Sequence, residues 1–295
     1  MEGMLNWGVK LVLWCQQFSP TLDPVFKVFT FMGEEVFFMM LLPFIYWCVD
    51  RRIGIRLIIL FLFSAYLNSA LKAILVQPRP FQYDLRVRPL VQAHGYSFPS
   101  GHTQGAVVVW GYLASQHRRA WLWVVAGLLM AFIPLSRLYL GVHFPVDLLG
   151  GYVLGALLLV LYLRLEARAE AWLQTKGIIW SLGVALLLPT LLLILRPLEA
   201  YTGLTACALL MGMGVGFALE GRWVGYASGG LWWKQVLRFL VGEAGLFLLW
   251  LGLRIGFLDL EPQALFRFVR YGLVGLWGGL GAPWAFVKLR LAEKR

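Results

Sequence analysis

Nine stretches of this chain are long and apolar enough to be read as membrane crossings, and no other feature restricts its fold as strongly. They lie at about 26–48, 54–76, 102–116, 120–141, 146–165, 178–196, 201–219, 236–258 and 266–288. A helix needs about 20 mostly apolar residues to cross hydrocarbon, where every backbone polar group must be paired internally. The third stretch is short by that measure. It is kept because the loop at His117, Arg118 and Arg119 otherwise has no way back across. Composition agrees: 60% of the residues are hydrophobic and 14% charged, against about 25% charged in soluble domains. The fold class expected is all-α, a polytopic membrane helix bundle with about nine transmembrane helices.

The charge pattern argues against nucleic acid. The formal net charge is +11, but the basic residues sit in short clusters between apolar runs, as in cytoplasmic loops. Nine crossings divide the 26 basic residues 15 to 11 between the two sides. Three of the eleven, Lys72, Arg79 and Arg137, belong to the motifs described below. The richer side is therefore expected to be cytoplasmic, with the motifs facing outward. Cys15, Cys48 and Cys207 lie far apart and form neither a disulfide framework nor a zinc pattern.

The N-terminus lacks the basic start and small-residue cleavage site of a signal peptide. Trp7, Leu11, Trp14 and Phe18 recur at helical spacing, which predicts a short helix lying in the membrane interface. The expected domains are this helix at 1–24, a membrane core at 25–168 carrying the motifs, and additional transmembrane helices at 169–295. Glu243, inside an apolar run, is expected to have a structural partner such as Arg238 or a backbone group.

Three clusters between Lys72 and Asp147 carry chemistry. The first holds Lys72, Arg79 and Pro80, with Ser64 and Asn68 on the same helical stripe as Lys72. Arginine forks and a lysine point charge suit phosphate oxygens; anchoring at the interface is the plainer use of Lys72. The second cluster is Pro99-Ser100-Gly101-His102. Ser100 suits an N-cap, and Gly101 leaves its amide open at a helix start, where unpaired N–H groups attract anions. His102 can donate a proton to a departing oxygen. The third cluster runs from Ser136 and Arg137 to His143, Pro145 and Asp147. Pro145 fits a first helical turn, from which Asp147 reaches back to orient His143 and free its other nitrogen as a nucleophile.

These clusters resemble the motifs of the type-2 phosphatidic acid phosphatase superfamily: K-x6-R-P, P-S-G-H and S-R-x5-H-x3-D, every fixed position being filled in order. The family includes lipid phosphate phosphatases, polyprenyl-pyrophosphate phosphatases, glucose-6-phosphatase and soluble vanadium haloperoxidases. The resemblance implies a six-helix-type phosphatase core. It also implies catalytic roles for His143 as nucleophile, Asp147 as its orienter and His102 as acid. Lys72, Arg79, Ser100, Gly101 and Arg137 would bind phosphate. The family hydrolases need no metal, so no cofactor or metal is expected.

The function expected is an integral membrane phosphatase that hydrolyses a lipid-linked phosphate monoester or pyrophosphate through a phosphohistidine. Its expected place is a bacterial inner membrane, with the site on the periplasmic or exterior face. Three alternatives use the same residues: a lipid phosphotransferase, a sugar-phosphate phosphatase, and a lipid-binding or translocating protein without chemistry. The partners expected are membrane lipids and a lipid phosphate substrate, with no nucleic acid. Self-association is left open.

Overall fold

The computed structural model describes residues 2–117, 119–195 and 201–294. Arg118, Arg196 and Arg295, three of the basic residues weighed for orientation, lie outside them. The described residues contain no strand, only one isolated bridge between Tyr226 and Lys294. The chain is an all-α, polytopic membrane protein.

Helices follow in the order α1 (Glu2–Gln16), α2 (Asp23–Phe31), α3 (Glu35–Phe44), α4 (Arg51–Leu75), α5 (Pro80–Tyr83), α6 (Gly101–Ser115), α7 (Ala120–Tyr139), α8 (Pro145–Lys176), α9 (Ile178–Leu195), α10 (Tyr201–Leu219), α11 (Trp232–Gly256), α12 (Gln263–Leu276) and α13 (Ala282–Lys288). Three π-helical turns, at Ile45–Val49, Glu220–Val224 and Trp277–Gly281, follow α3, α10 and α12.

Every one of the nine apolar stretches is helical. Six spans among the described residues are long and apolar enough to cross a membrane; α2 and α3 with its π turn, bent by 49°, make a seventh if taken as one. Helix α6 has 15 residues, and the last stretch is interrupted at Trp277–Gly281. Length and composition of the helices therefore give fewer crossings than the nine expected.

The chain forms two compact units. The first comprises Met1–Phe38 and Leu67–Tyr162. Its main apolar cluster joins Leu5, Val9, Val12 and Cys15 of α1 to Val87, Leu138, Leu140, Val142, Phe144 and Leu148. The aromatic face of α1 points the other way, with Trp7 and Trp14 more than half exposed. Helix α8 presses against α6 through Gly151: a Cβ there would stand 2.7 Å from the Ser100 carbonyl oxygen and 2.8 Å from the Thr103 Cβ. The segment from 84 to 99 is irregular and wraps the same end of this unit. Its Arg88 is tied to α1, since the Gln16 Nε2 donates to the Arg88 carbonyl at 2.6 Å.

The second unit comprises Met39–Tyr66 and Leu163–Arg295. Glycines let its helices touch backbone to backbone. A Cβ on Gly216 of α10 would stand 2.9 Å from the Gly279 Cα, and one on Gly275 of α12 would stand 2.9 Å from the Leu209 carbonyl. Several of its charges are consumed internally. Arg56 pairs with Glu166 at 2.9 Å and with Glu170, and Arg51 pairs with the fully buried Glu220. Arg238 is buried and donates to the carbonyls of Trp47, Ala227 and Gly229. The expected partnership of Arg238 with Glu243 does not form, because those carbonyls take the guanidinium; the Glu243 Oε1 has no hydrogen-bond partner. All three cysteines are buried, and none forms a disulfide among the described residues.

Candidate active site

All eight candidate residues belong to the first unit, carried by four helices and two connecting turns. Helix α4 supplies Lys72 near its C-terminal end. The turn before α5 supplies Arg79, the start of α6 supplies Ser100, Gly101 and His102, and the end of α7 supplies Arg137. His143 lies in the short link from α7 to α8, and Asp147 in the first turn of α8. The left-handed turn at Gly141, φ +74°, sends the chain from α7 into that link.

The pairing of His143 and Asp147 follows from local geometry. Pro145 starts α8, so Asp147 falls where helix-start amides are unpaired. Its Oδ2 accepts from the Phe144 amide at 2.8 Å and faces the His143 Nδ1 at 3.1 Å. The other ring nitrogen, Nε2, lies 3.5 Å from the Arg79 Nη1. A carboxylate at Nδ1 holds the proton there and leaves Nε2 basic and unprotonated. Burial pushes the His143 imidazole well below its usual value, and Lys72, Arg79, Arg137 and His102 are all near enough to push it further. The ring is therefore neutral at neutral pH.

Ser100 caps α6 through its side chain, which accepts from the Thr103 amide at 3.4 Å. Its own amide donates to the Asp147 carbonyl at 3.0 Å, joining the second and third motifs. Gly101 has no side chain where Asn68 approaches; a Cβ would meet the Asn68 Oδ1 at 3.1 Å. His102 packs on Gly33, where a Cβ would come within 2.6 Å of the ring.

The cations are not equally free. Lys72 donates to the Tyr96 carbonyl at 2.9 Å. Arg79 spends its fork on the carbonyls of His94, Gly95 and Val142, at 2.8, 2.9 and 2.8 Å. It thereby holds His94 and Gly95 as well as reaching His143. Arg137 donates to the Thr30 hydroxyl, while its Nε has no partner. The His102 Nε2 is likewise buried without a partner. Buried polar atoms are almost always paired, so two such nitrogens beside a neutral imidazole and several cations describe a cradle for an anion.

Two further residues complete the site and were not foreseen. Gln77 donates from Nε2 to the Asp147 Oδ1 at 2.7 Å, and the Ser97 hydroxyl donates to Asp147 Oδ2. Both lie in the connection between α4 and α6, but a lone Gln or Ser there carries no signal of its own.

A sequence model described as the PAP2 superfamily matches residues 53–170. A second, described as PAP2 superfamily phosphatase, transmembrane extension, matches 204–294. The chain belongs to the PAP2 superfamily. Its C-terminal helices, which carried no motif to the eye, are thus a recognised extension. The chain is 30% identical over 170 residues to phosphatidylglycerophosphatase B of Bacillus subtilis, an alignment covering 53% of this chain and 81% of that protein. It is 33% identical over 144 residues to mouse sphingosine-1-phosphate phosphatase 2, covering 46% of this chain and 40% of that protein. The chain thus spans well under half the length of that relative. Its fold is similar to the crystal structure of a transmembrane PAP2-type phosphatidylglycerolphosphate phosphatase from Bacillus subtilis. The TM-score is 0.50 at 26% identity, covering 57% of this chain and 88% of that one.

Proposed function

We propose that this membrane protein hydrolyses a lipid-linked phosphate monoester or pyrophosphate through a phosphohistidine on His143. The observation that carries the reading is the His143–Asp147 pair, whose Nε2 is turned towards Arg79, with Lys72 and Arg137 also near the ring. His143 attacks phosphorus in line with the departing oxygen. His102 gives that oxygen a proton, and a water then releases phosphate from His143. Lys72, Arg79, Arg137 and the amides at Ser100 and Gly101 stabilise charge on the equatorial oxygens. Those cations do the work that Mg²⁺ does elsewhere, so activity survives a chelator in this reading.

The relatives supply the substrate class, since both are named for the dephosphorylation of a lipid phosphate. The charge bias of the loops supports a site on the outer face of the membrane.

The test is phosphate release by purified protein from lipid phosphates, polyprenyl pyrophosphates and sugar phosphates, with and without chelator. His143→Ala should abolish turnover and covalent labelling by phosphate. His102→Ala should slow turnover, and a substrate with a good leaving group should recover part of the rate, because such a group needs no proton. Full activity in His143→Ala ends the mechanism.

A further inference from the structure

We infer that Ser97 and Gln77 are positioning residues for the His143–Asp147 pair. The inference rests on the reading of His143 as nucleophile and concerns what holds it in its reactive tautomer.

A carboxylate in a buried site can rotate and present either oxygen. Here each oxygen is spoken for. Gln77 Nε2 holds Oδ1 at 2.7 Å, while the Ser97 hydroxyl and the Phe144 amide hold Oδ2. The two residues are also tied to each other through the main chain, because the Ser97 backbone amide donates to the Gln77 backbone carbonyl at 2.9 Å. The result is a closed ring running Asp147, Gln77, Ser97 and back to Asp147.

Ser97 is wholly buried. Burying a hydroxyl costs free energy unless its hydrogen bonds are made, and this one is placed to make two. Its single proton goes to Asp147 Oδ2. A lone pair then faces the His143 Nδ1 at 3.3 Å. The Nδ1–H therefore meets two acceptors, Asp147 Oδ2 and Ser97 Oγ. That doubles the reason for the proton to sit on Nδ1 rather than on Nε2, the nitrogen turned towards Arg79. As the ring gains positive character during attack, both acceptors strengthen their hold on it. Asp147 cannot swing to another donor while Gln77 pins Oδ1. The charged and titratable groups facing this assembly are Lys72 of α4, Arg79, His102 of α6 and Arg137 of α7. Of these, Arg79 stands on the Nε2 side of the ring, its Nη1 3.5 Å from that nitrogen.

Each residue should therefore matter to the chemical step and not to phosphate binding. The experiment compares Ser97→Ala, Gln77→Ala, Asp147→Asn, His143→Ala and the double variant Ser97→Ala/Asp147→Asn with the native protein. The substrate is a long-chain lipid phosphate in mixed micelles, and vanadate serves as inhibitor. By the outer-sphere logic known for oriented imidazoles, Ser97→Ala and Gln77→Ala should each lower kcat by about 10- to 100-fold. The KM and the vanadate inhibition constant should stay within about twofold, because the cations are untouched. In the Asp147→Asn background the Ser97 substitution should cost less than about twofold, since residues that act as one unit are not additive. An equal loss in both backgrounds would assign Ser97 a merely structural role and overturn the inference. So would native rates in Ser97→Ala and Gln77→Ala while His143→Ala is dead. Activity retained in His143→Ala is a different failure, which removes the nucleophile reading and the inference with it.

Discussion

The backbone amide of Ser100 donates to the backbone carbonyl of Asp147 at 3.0 Å. The bond ties the N-terminus of the helix that bears His102 to the first turn of the helix that bears Asp147. The helix starts that carry His102 and Asp147 are thus registered through the main chain. The approach is possible because Gly151, one turn further along α8, has no side chain to hold α6 away.

Gly151→Ala should therefore damage the site without touching a reacting group. The new methyl meets backbone at the Ser100 carbonyl, which cannot swing aside. Overpacking of this kind costs about 1–3 kcal/mol, and a small displacement of His102 should lower kcat at least about tenfold. Gly127→Ala is the control, since nothing lies within 4 Å of a Cβ there; Ala favours a helix over Gly. Thermal unfolding in detergent and kcat for both variants check the expectation. Equal behaviour of the two would refute it.

The dependence on pH has a definite sign. Burial depresses the His143 pKa, so the ring stays neutral below the ordinary histidine value of about 6.5. The kcat/KM profile should stay level through pH 6.5 on the acid side and fall only at lower pH. Stability follows the same direction. The unfolded chain binds this proton first, so the contribution of the buried neutral ring is present above about pH 6.5 and is lost as pH falls. An acid limb centred at or above pH 6.5 that responds to His143 substitution would contradict this.

In the second unit, the Arg51–Glu220 pair should govern stability. Glu220 is fully buried; its Oε2 accepts from Arg51 Nε at 2.6 Å and its Oε1 from the Tyr226 amide at 3.0 Å. Removing one member of a buried pair leaves the other uncompensated, at a cost of about 3–5 kcal/mol. Glu220→Ala should lower the unfolding temperature well beyond Arg52→Ala, whose side chain is mostly exposed. Matching small shifts in the two would show that the pair contributes little.

The legibility of this protein followed the physics of each level. Apolar runs announce helices because hydrocarbon leaves the backbone no other choice, and every run became helical. Their number as crossings was less legible, because α6 draws its length from the first unit's packing and not from lipid. The eight candidate residues stood out in the sequence because charged and titratable groups are costly near hydrocarbon, and the fold gathers all eight in the first unit; their roles are a proposal. Ser97 and Gln77 did not stand out, since a hydroxyl or amide in a loop is ordinary until a carboxylate is seen beside it. The buried pairs of Arg51 and Arg56 were likewise hidden: their partners lie more than a hundred residues away. The aromatic stripe of α1 was read as a face, and its outward direction emerged only once Leu5, Val9 and Val12 were seen to fill the core.

Substrate chain length is the remaining expectation. Lys72 and Arg137 sit near the ends of otherwise apolar helices and Arg79 in the turn before α5, so a phosphate can reach them while its chains stay in hydrocarbon. Most of the binding energy should then come from the chains, at about 0.8 kcal/mol per buried CH₂. Two added methylenes are worth about a tenfold gain by that scale, until the chain outruns the surface that receives it. A sugar phosphate lacks this contribution and would need a polar pocket to replace it. The cavity lined by Phe81 and the 89–94 segment offers mainly apolar side chains, with Gln92 and His94 the polar ones. Selectivity should therefore be loose for the headgroup and steep for the chain. The measurement is kcat/KM across lipid phosphates of increasing chain length, in mixed micelles at fixed surface concentration, with glucose 6-phosphate alongside. A steep rise with chain length and poor use of the sugar phosphate are expected. A flat series, or a preference for the sugar phosphate, would place recognition in the headgroup and refute a lipid-driven site.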